Sequence, residues 1–253
     1  MIIDSFDNSS EAIITPEILF GEKAGYTDLA IGTFSREIWP AVLERYPHEQ
    51  IAEIRAANRI KPVHLLFVDG MRIAFYLSEI GSAMASTDVI EINWKTGADK
   101  FILFGSAGSL DRTATENRYI IPTEAYRDEG MSYHYAPPAE YLTVRGAGFV
   151  EEVFRKNRFP YVMGRVWTTD ALYRETRDQV AKRKAEGCIA VEMELAGVQS
   201  VCDFHGFELY DFLASGDVVD QPHYTPDGLV EANHSMDKFN AAVAIAKRIK
   251  KQR

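Results

Sequence analysis

Short apolar runs alternate along the chain with longer amphipathic stretches. The runs Asp28–Ile31, Val63–Val68, Arg72–Leu77, Lys100–Phe104, Tyr119–Ala125, Tyr161–Trp167, Cys188–Val191 and Glu208–Leu213 are rich in Val, Ile, Leu, Phe and Tyr. That composition suits strands covered on both faces. Helices are expected between them at Ser86–Lys95, Gly148–Asn157, Thr176–Glu186, Glu192–His205 and Glu231–Lys251. Leu195, Val198, Val201 and Cys202 recur at helical spacing and form one apolar stripe. The last helix ends on Lys247, Arg248, Lys250 and Lys251, cations that favour the negative end of the helix dipole. The alternation predicts an α/β fold with a mostly parallel, doubly covered sheet, in which ligands bind where strands end. No repeat, low-complexity stretch or linker interrupts it, so residues 1–253 are expected to form a single domain.

Composition narrows the function. Apolar residues make up 46% of the 253, enough for one substantial core. With 37 acidic against 28 basic residues, the net charge is -9. That balance argues against nucleic-acid binding, which needs a basic stripe, but allows a small anionic co-substrate held by a few local donors. Two cysteines, Cys188 and Cys202, make no disulfide framework and fit a reducing compartment. The polar, acidic start from Met1 to Glu11 is unlike a signal peptide, and no apolar run reaches the ~20 residues of a membrane span. A cytoplasmic protein is expected. His205 and His223 have no ligand spacing, so no metal site is read.

Three segments could carry chemistry. At Phe101–Leu110 an apolar strand runs into Gly105-Ser106-Ala107-Gly108-Ser109. Uncovered backbone N–H groups there could cradle an anion with the Ser106 hydroxyl, or the glycines could simply make a tight turn. At Val191-Glu192-Met193-Glu194 two carboxylates lie where a strand becomes a helix. They could accept hydrogen bonds from a sugar diol, with Met193 on its apolar face, or merely suit a helix's first turn. At Ser215-Gly216-Asp217 an aspartate follows the last expected strand and could protonate a leaving group, or serve as turn chemistry.

Taken together, the three segments resemble the family of purine nucleoside phosphorylases, uridine phosphorylases and methylthioadenosine/adenosylhomocysteine nucleosidases. The resemblance covers roughly residues 28 to 250. It extends to Gly164–Tyr173, to Asp217–Gln221 and, in the manner of uridine phosphorylases, to Pro122–Glu124, Arg127–Gly130 and Ser132–Tyr135. It implies a three-layer α/β/α fold around a central mixed, partly barrel-like sheet. It also implies a homo-oligomer, dimer or hexamer, with active sites near subunit contacts. Carried over, Met193 and Glu194 would hold the ribose with Glu192 alongside, and Asp217 would be the catalytic acid for a purine. Gly105 and Ser106 would bind phosphate, and Leu172 and Val191 would wall the base. Gly32 and Arg36 keep the spacing of the family's first phosphate loop, although Thr33-Phe34 replaces its Asp-Pro. Leu103 stands where phosphorylases commonly place a second phosphate arginine and where nucleosidases are apolar. Arg127 and His134 could supply the missing charge or hydrogen-bond within a β-ribbon.

The resemblance therefore implies a nucleoside phosphorylase that cleaves the N-glycosidic bond of a purine or uridine-type nucleoside, with inorganic phosphate as co-substrate and no other cofactor, giving free base and pentose 1-phosphate. A nucleosidase using water, and a nucleoside-binding protein that has lost catalysis, are the rivals. A dinucleotide-binding protein is disfavoured, because no Gly-x-Gly-x-x-Gly follows an early strand.

Overall fold

The computed structural model describes residues 1–57, 59–219, 224, 226 and 228–252. Asp220, Gln221 and His223 lie outside the described residues. The strands are β1 Leu29–Thr33, β2 His48–Ala56, β3 Arg59–Val68, β4 Met71–Leu77, β5 Lys100–Ser109, β6 Tyr119–Asp128, β7 Tyr141–Thr143, β8 Tyr161–Thr169, β9 Cys188–Glu192 and β10 Glu208–Val218. Among the described residues they form one mixed sheet.

Five of these strands close on themselves. β5 pairs parallel with β10, β10 antiparallel with β6, β6 and β8 run parallel, as do β8 and β9, and β9 returns antiparallel to β5. This ring is the barrel-like part of the sheet. From β5 the sheet opens outward through β1, β4, β3 and β2, while β7 pairs along β6. Helices cover both sides. Ser82–Thr96 packs on Leu195–His205, and Ala147–Asn157 packs on Asp237–Lys250 and on β10. The three-layer α/β/α arrangement with a partly closed mixed sheet is thus the observed fold.

The core explains the strands. Phe101, Ile102, Leu103 and Phe104 in β5 are all buried, as are Leu29, Ala30 and Ile31 beside them in β1. Covered on both faces, β5 shows no alternation, which is why it reads as a continuous apolar run.

Several expected boundaries move. β5 continues through Gly105 to Ser109 because Gly108 and Ser109 pair with Val191 and Ala190 of β9. Neither Gly105 nor Gly108 has a positive φ. The expected tight turn is therefore extended strand. β10 runs to Val218, so Asp217 lies within the strand and not after it. The helix expected from Glu192 begins at Leu195, because Glu192 ends β9. The expected last helix is two, Leu229–His234 and Asp237–Lys250, separated where Ser235 turns to an extended conformation. β2 was not expected, and its largely exposed, polar face explains why. No described helix is long and apolar enough to cross a membrane.

Candidate active site

Ring closure gathers the three sequence segments at one rim. The parallel register sets Ser106 beside Ala214 and Ala107 beside Ser215, while Val191 lies opposite Gly108. A Cβ on Gly108 would lie 2.7 Å from Val219 Cγ2, 3.0 Å from Val191 Cγ1 and 3.7 Å from Asp217 Oδ1. Only glycine leaves room for these groups to converge. The expected acid and the expected base-pocket valine therefore meet over one residue.

Glu192 and Glu194 are close in sequence but differently engaged. Glu192 is buried, and its Oε2 accepts the N–H groups of Glu194 and Leu195, each at 2.7 Å. Its other oxygen accepts the Thr168 hydroxyl. Burial first, and the Glu194 charge second, push this carboxyl up to about 8. Glu192 thus ties β8 and β9 to the start of the helix Leu195–His205, satisfying two of the free N–H groups there.

Glu194 reaches the other way. Its Oε1 accepts the Gly81 N–H at 2.7 Å, just ahead of the helix Ser82–Thr96. Burial pushes this carboxyl up to about 7. The contact exists because the two helices approach closely at Gly197, where a Cβ would lie 2.0 Å from Ser82 Oγ and 2.9 Å from Ser86 Oγ. Met193 is half-buried between the two glutamates. A third carboxyl, Asp211 on β10, is 5% exposed, and its Oδ1 finds no hydrogen-bond partner among the described residues. Burial, then the charges of Glu192 and Glu194, push it well above the usual carboxylate range.

On the far side of Gly108, Asp217 opens into a cleft of about 1020 Å³ lined by Leu172, Glu175, Val180, Val219 and Tyr224. Leu172 is 52% exposed at its mouth. Burial, followed by the Asp217 charge, pushes the Glu175 carboxyl up to about 7. A strand-held acid and apolar walls beside a buried carboxylate group suit a heterocycle on one side and a sugar on the other.

A family model described as the phosphorylase superfamily matches residues 36–250. The chain belongs to the phosphorylase superfamily. A DeoD-type purine nucleoside phosphorylase of an Exiguobacterium species is 26% identical over 154 residues, 58% of this chain. That match spans 64% of the DeoD-type enzyme, just under two thirds of its length. The purine nucleoside phosphorylase of Toxoplasma gondii, in complex with immucillin-H, superposes with a TM-score of 0.75 at 17% identity. It covers 90% of this chain and 93% of that one. Futalosine hydrolase of Helicobacter pylori superposes with a TM-score of 0.70 at 16% identity, covering 88% of this chain and 98% of that one. The phosphorylase-superfamily fold is therefore similar to proteins named as phosphorylases and to one named as a hydrolase.

In this superfamily member the residues expected around phosphate lie near the rim but are less open than the base cleft. Gly32 is buried, and a Cβ there would lie 2.5 Å from Leu103 Cδ2 and 2.7 Å from the Tyr76 ring. Leu103 thus packs onto the glycine that was expected to face an anion. Arg36 is exposed and makes no hydrogen bond or ion pair with the described residues. The Ser106 hydroxyl donates to Asn233 Oδ1, and the Ser35 hydroxyl lies 2.8 Å from His234 Nδ1. One short helix, Leu229–His234, therefore touches both expected phosphate segments.

Arg127 is occupied elsewhere. Its guanidinium donates to Ser132 Oγ at 2.8 Å, to Pro137 O at 2.6 Å and to Ala136 O at 3.3 Å, holding the loop after β6. His134 is exposed on the short helix Ser132–Tyr135 that follows β6. Of the two readings left open by sequence, the structure gives Arg127 the structural one. Sequence reasoning missed Gly81, Gly197, Glu175, Asp211, Asn233 and Lys238. Gly197 lies three residues after Glu194, which ends the Val-Glu-Met-Glu segment, whereas the others belong to no local pattern shared with the recognised motifs.

Proposed function

We propose that this protein is a nucleoside phosphorylase that cleaves the N-glycosidic bond of a purine nucleoside with inorganic phosphate, giving free base and pentose 1-phosphate. The observation that carries the reading is the convergence at Gly108 of Asp217 and Val191, with the ribose-type carboxylate Glu194 at the neighbouring strand end. Glu194 accepts hydrogen bonds from the ribose hydroxyls, and Met193 packs on the sugar. Glu192 holds the helix start that places them. Asp217 gives its proton to the purine as the electron pair of the glycosidic bond moves into the base. A phosphate oxygen then bonds the anomeric carbon. Carboxylates around the sugar stabilise the positive charge that develops on it. Leu172 and Val191 wall the base, while Gly32, Arg36, Gly105 and Ser106 line the phosphate side. The reaction so written uses no organic cofactor.

The assembly we infer is a homo-oligomer, dimer or hexamer. Ile80 and Met84, 65% and 37% exposed, flank Gly81 beside the sugar site and suit cover by a second copy. A cytoplasmic setting fits the two free, buried cysteines.

Hydrolysis is the second reading, favoured by the Leu103–Gly32 packing where an arginine would otherwise stand. A panel of purine and pyrimidine nucleosides assayed with and without phosphate decides between them. Phosphorolysis predicts saturable phosphate dependence and pentose 1-phosphate as product. Free pentose formed at an undiminished rate without phosphate establishes hydrolysis, and no turnover of any nucleoside returns the chain to a binding role.

A further inference from the structure

The last helix, Asp237–Lys250, carries near its start a lysine that sequence patterning assigns to nothing. Lys238 is 2% exposed. Among the described residues its ammonium meets only main-chain oxygens. Nζ donates to Asn233 O at 3.0 Å and to Ala232 O, and lies 3.5 Å from Gly105 O. No carboxylate pairs with it among the described residues, although Asp237 and Glu231 line the same cavity of about 820 Å³.

Carbonyl dipoles satisfy the donors of a buried ammonium but do not neutralise it, and an unpaired buried charge is costly. The cost shows in the group itself, whose pKa burial pulls down to about 7. An anion would neutralise such a charge. The segment expected to hold phosphate is one residue away. Lys238 touches the Gly105 carbonyl, Ser106 follows it, and Asn233 bonds Lys238 through its carbonyl and Ser106 through its side chain. Meanwhile the strand position that would carry a phosphate arginine holds Leu103.

We infer that Lys238 supplies the missing cation of the phosphate site, reaching it from the last helix while Ser106 supplies the hydroxyl. This rests on the phosphorolytic reading for its place in catalysis, but the anion contact itself can be measured apart from turnover. A lysine that merely capped the helix Leu229–His234 would be indifferent to phosphate.

Lys238→Gln keeps a donor for the Asn233 and Ala232 carbonyls and removes the charge, while Lys238→Arg keeps the charge. Each variant is checked for a native melting transition, then titrated with inorganic phosphate by calorimetry and assayed for both Michaelis constants. The expected result for Lys238→Gln is a phosphate KM raised about tenfold or more, with the nucleoside KM within about twofold of wild type. Lys238→Arg should retain most of the phosphate affinity. An unchanged phosphate KM in Lys238→Gln overturns the inference, as does equal damage from both variants to both constants. If the wild type proves hydrolytic, the phosphorolytic reading fails and calorimetry alone judges the lysine. Phosphate heat lost in Lys238→Gln then supports an anion site, whereas heat absent from the wild type or unchanged in the variant overturns it.

Discussion

The carboxylate of Glu194 accepts the Gly81 amide N–H at 2.7 Å across 113 positions of the chain. That bond joins the strand–helix junction after β9 to the loop after β4 and fixes where the carboxylate points. Because among the described residues the second oxygen takes only its own neighbour's Met193 N–H, at 3.3 Å, acceptor capacity remains for a diol. Glu194→Ala is expected to lower kcat/KM by about 10²-fold or more, since hydrogen bonds to a charged group contribute ~1.5–3 kcal/mol each. Glu194→Gln should retain the fold but not the activity. Wild-type kcat/KM in either folded variant removes Glu194 from the ribose site.

Asp217→Asn tests the acid. It should slow purine nucleosides by ~10²-fold or more, the usual worth of a positioned proton donor. Pyrimidine nucleosides, whose leaving base has no N7 to protonate, should be affected less. An equal and small loss for both classes would show that Asp217 does not protonate the base.

Glu175 gives the base cleft a pH signature. Its folded pKa is raised, to about 7, by burial and by Asp217, whereas a glutamate in the unfolded chain titrates at about 4.3. The folded protein therefore holds this proton more tightly. The associated stability is fully present below the unfolded pKa and is lost as pH rises through the folded one. Glu175→Gln should consequently gain in Tm relative to wild type more at pH 8 than at pH 5. A Tm difference that is the same at both pH values would contradict the burial of this carboxyl.

Gly197→Ala examines the helix contact that brings Gly81 to Glu194. The added methyl meets Ser82 Oγ, which donates to Glu129 at 2.8 Å, and so cannot be accommodated without moving a helix or breaking that bond. Overpacking of this kind costs about 1–3 kcal/mol. Thermal melting should show the loss, and the folded variant should have a raised nucleoside KM. A variant with wild-type Tm and KM would mean that the helices tolerate separation.

Much of the fold was legible because burial on both faces writes itself as apolar runs. β5 and β10 read that way, but their apolar runs stop at Phe104 and Leu213, short of the strand ends at Ser109 and Val218. Gly105 to Ser109 and Ala214 to Asp217 are small or polar, and their strand conformation comes from partners in β9, β5 and each other. β2, polar and largely exposed, left no periodic trace. Local pattern marks the segments holding Met193, Glu194, Ser106 and Asp217 but leaves each open to a bland reading; the family resemblance assigns their roles, and ring closure brings the segments to one rim.

What the sequence determined by itself was local: strand-forming runs, helix stripes, the carboxylates at a strand–helix junction and an apolar Leu103 at the strand position where the resemblance to phosphorylases implies an arginine. Tertiary structure alone decided how those groups divide their roles. Both glutamates belong to one motif, yet Glu192 is turned inward onto Thr168 and the helix start while Glu194 faces Gly81. Arg127, open in sequence to either role, is committed to loop carbonyls. Lys238, 133 positions from Gly105, reaches its carbonyl only because the last helix packs on β5. Hydrogen-bond direction and long-range proximity are set by packing between distant elements, and no residue-by-residue pattern encodes them.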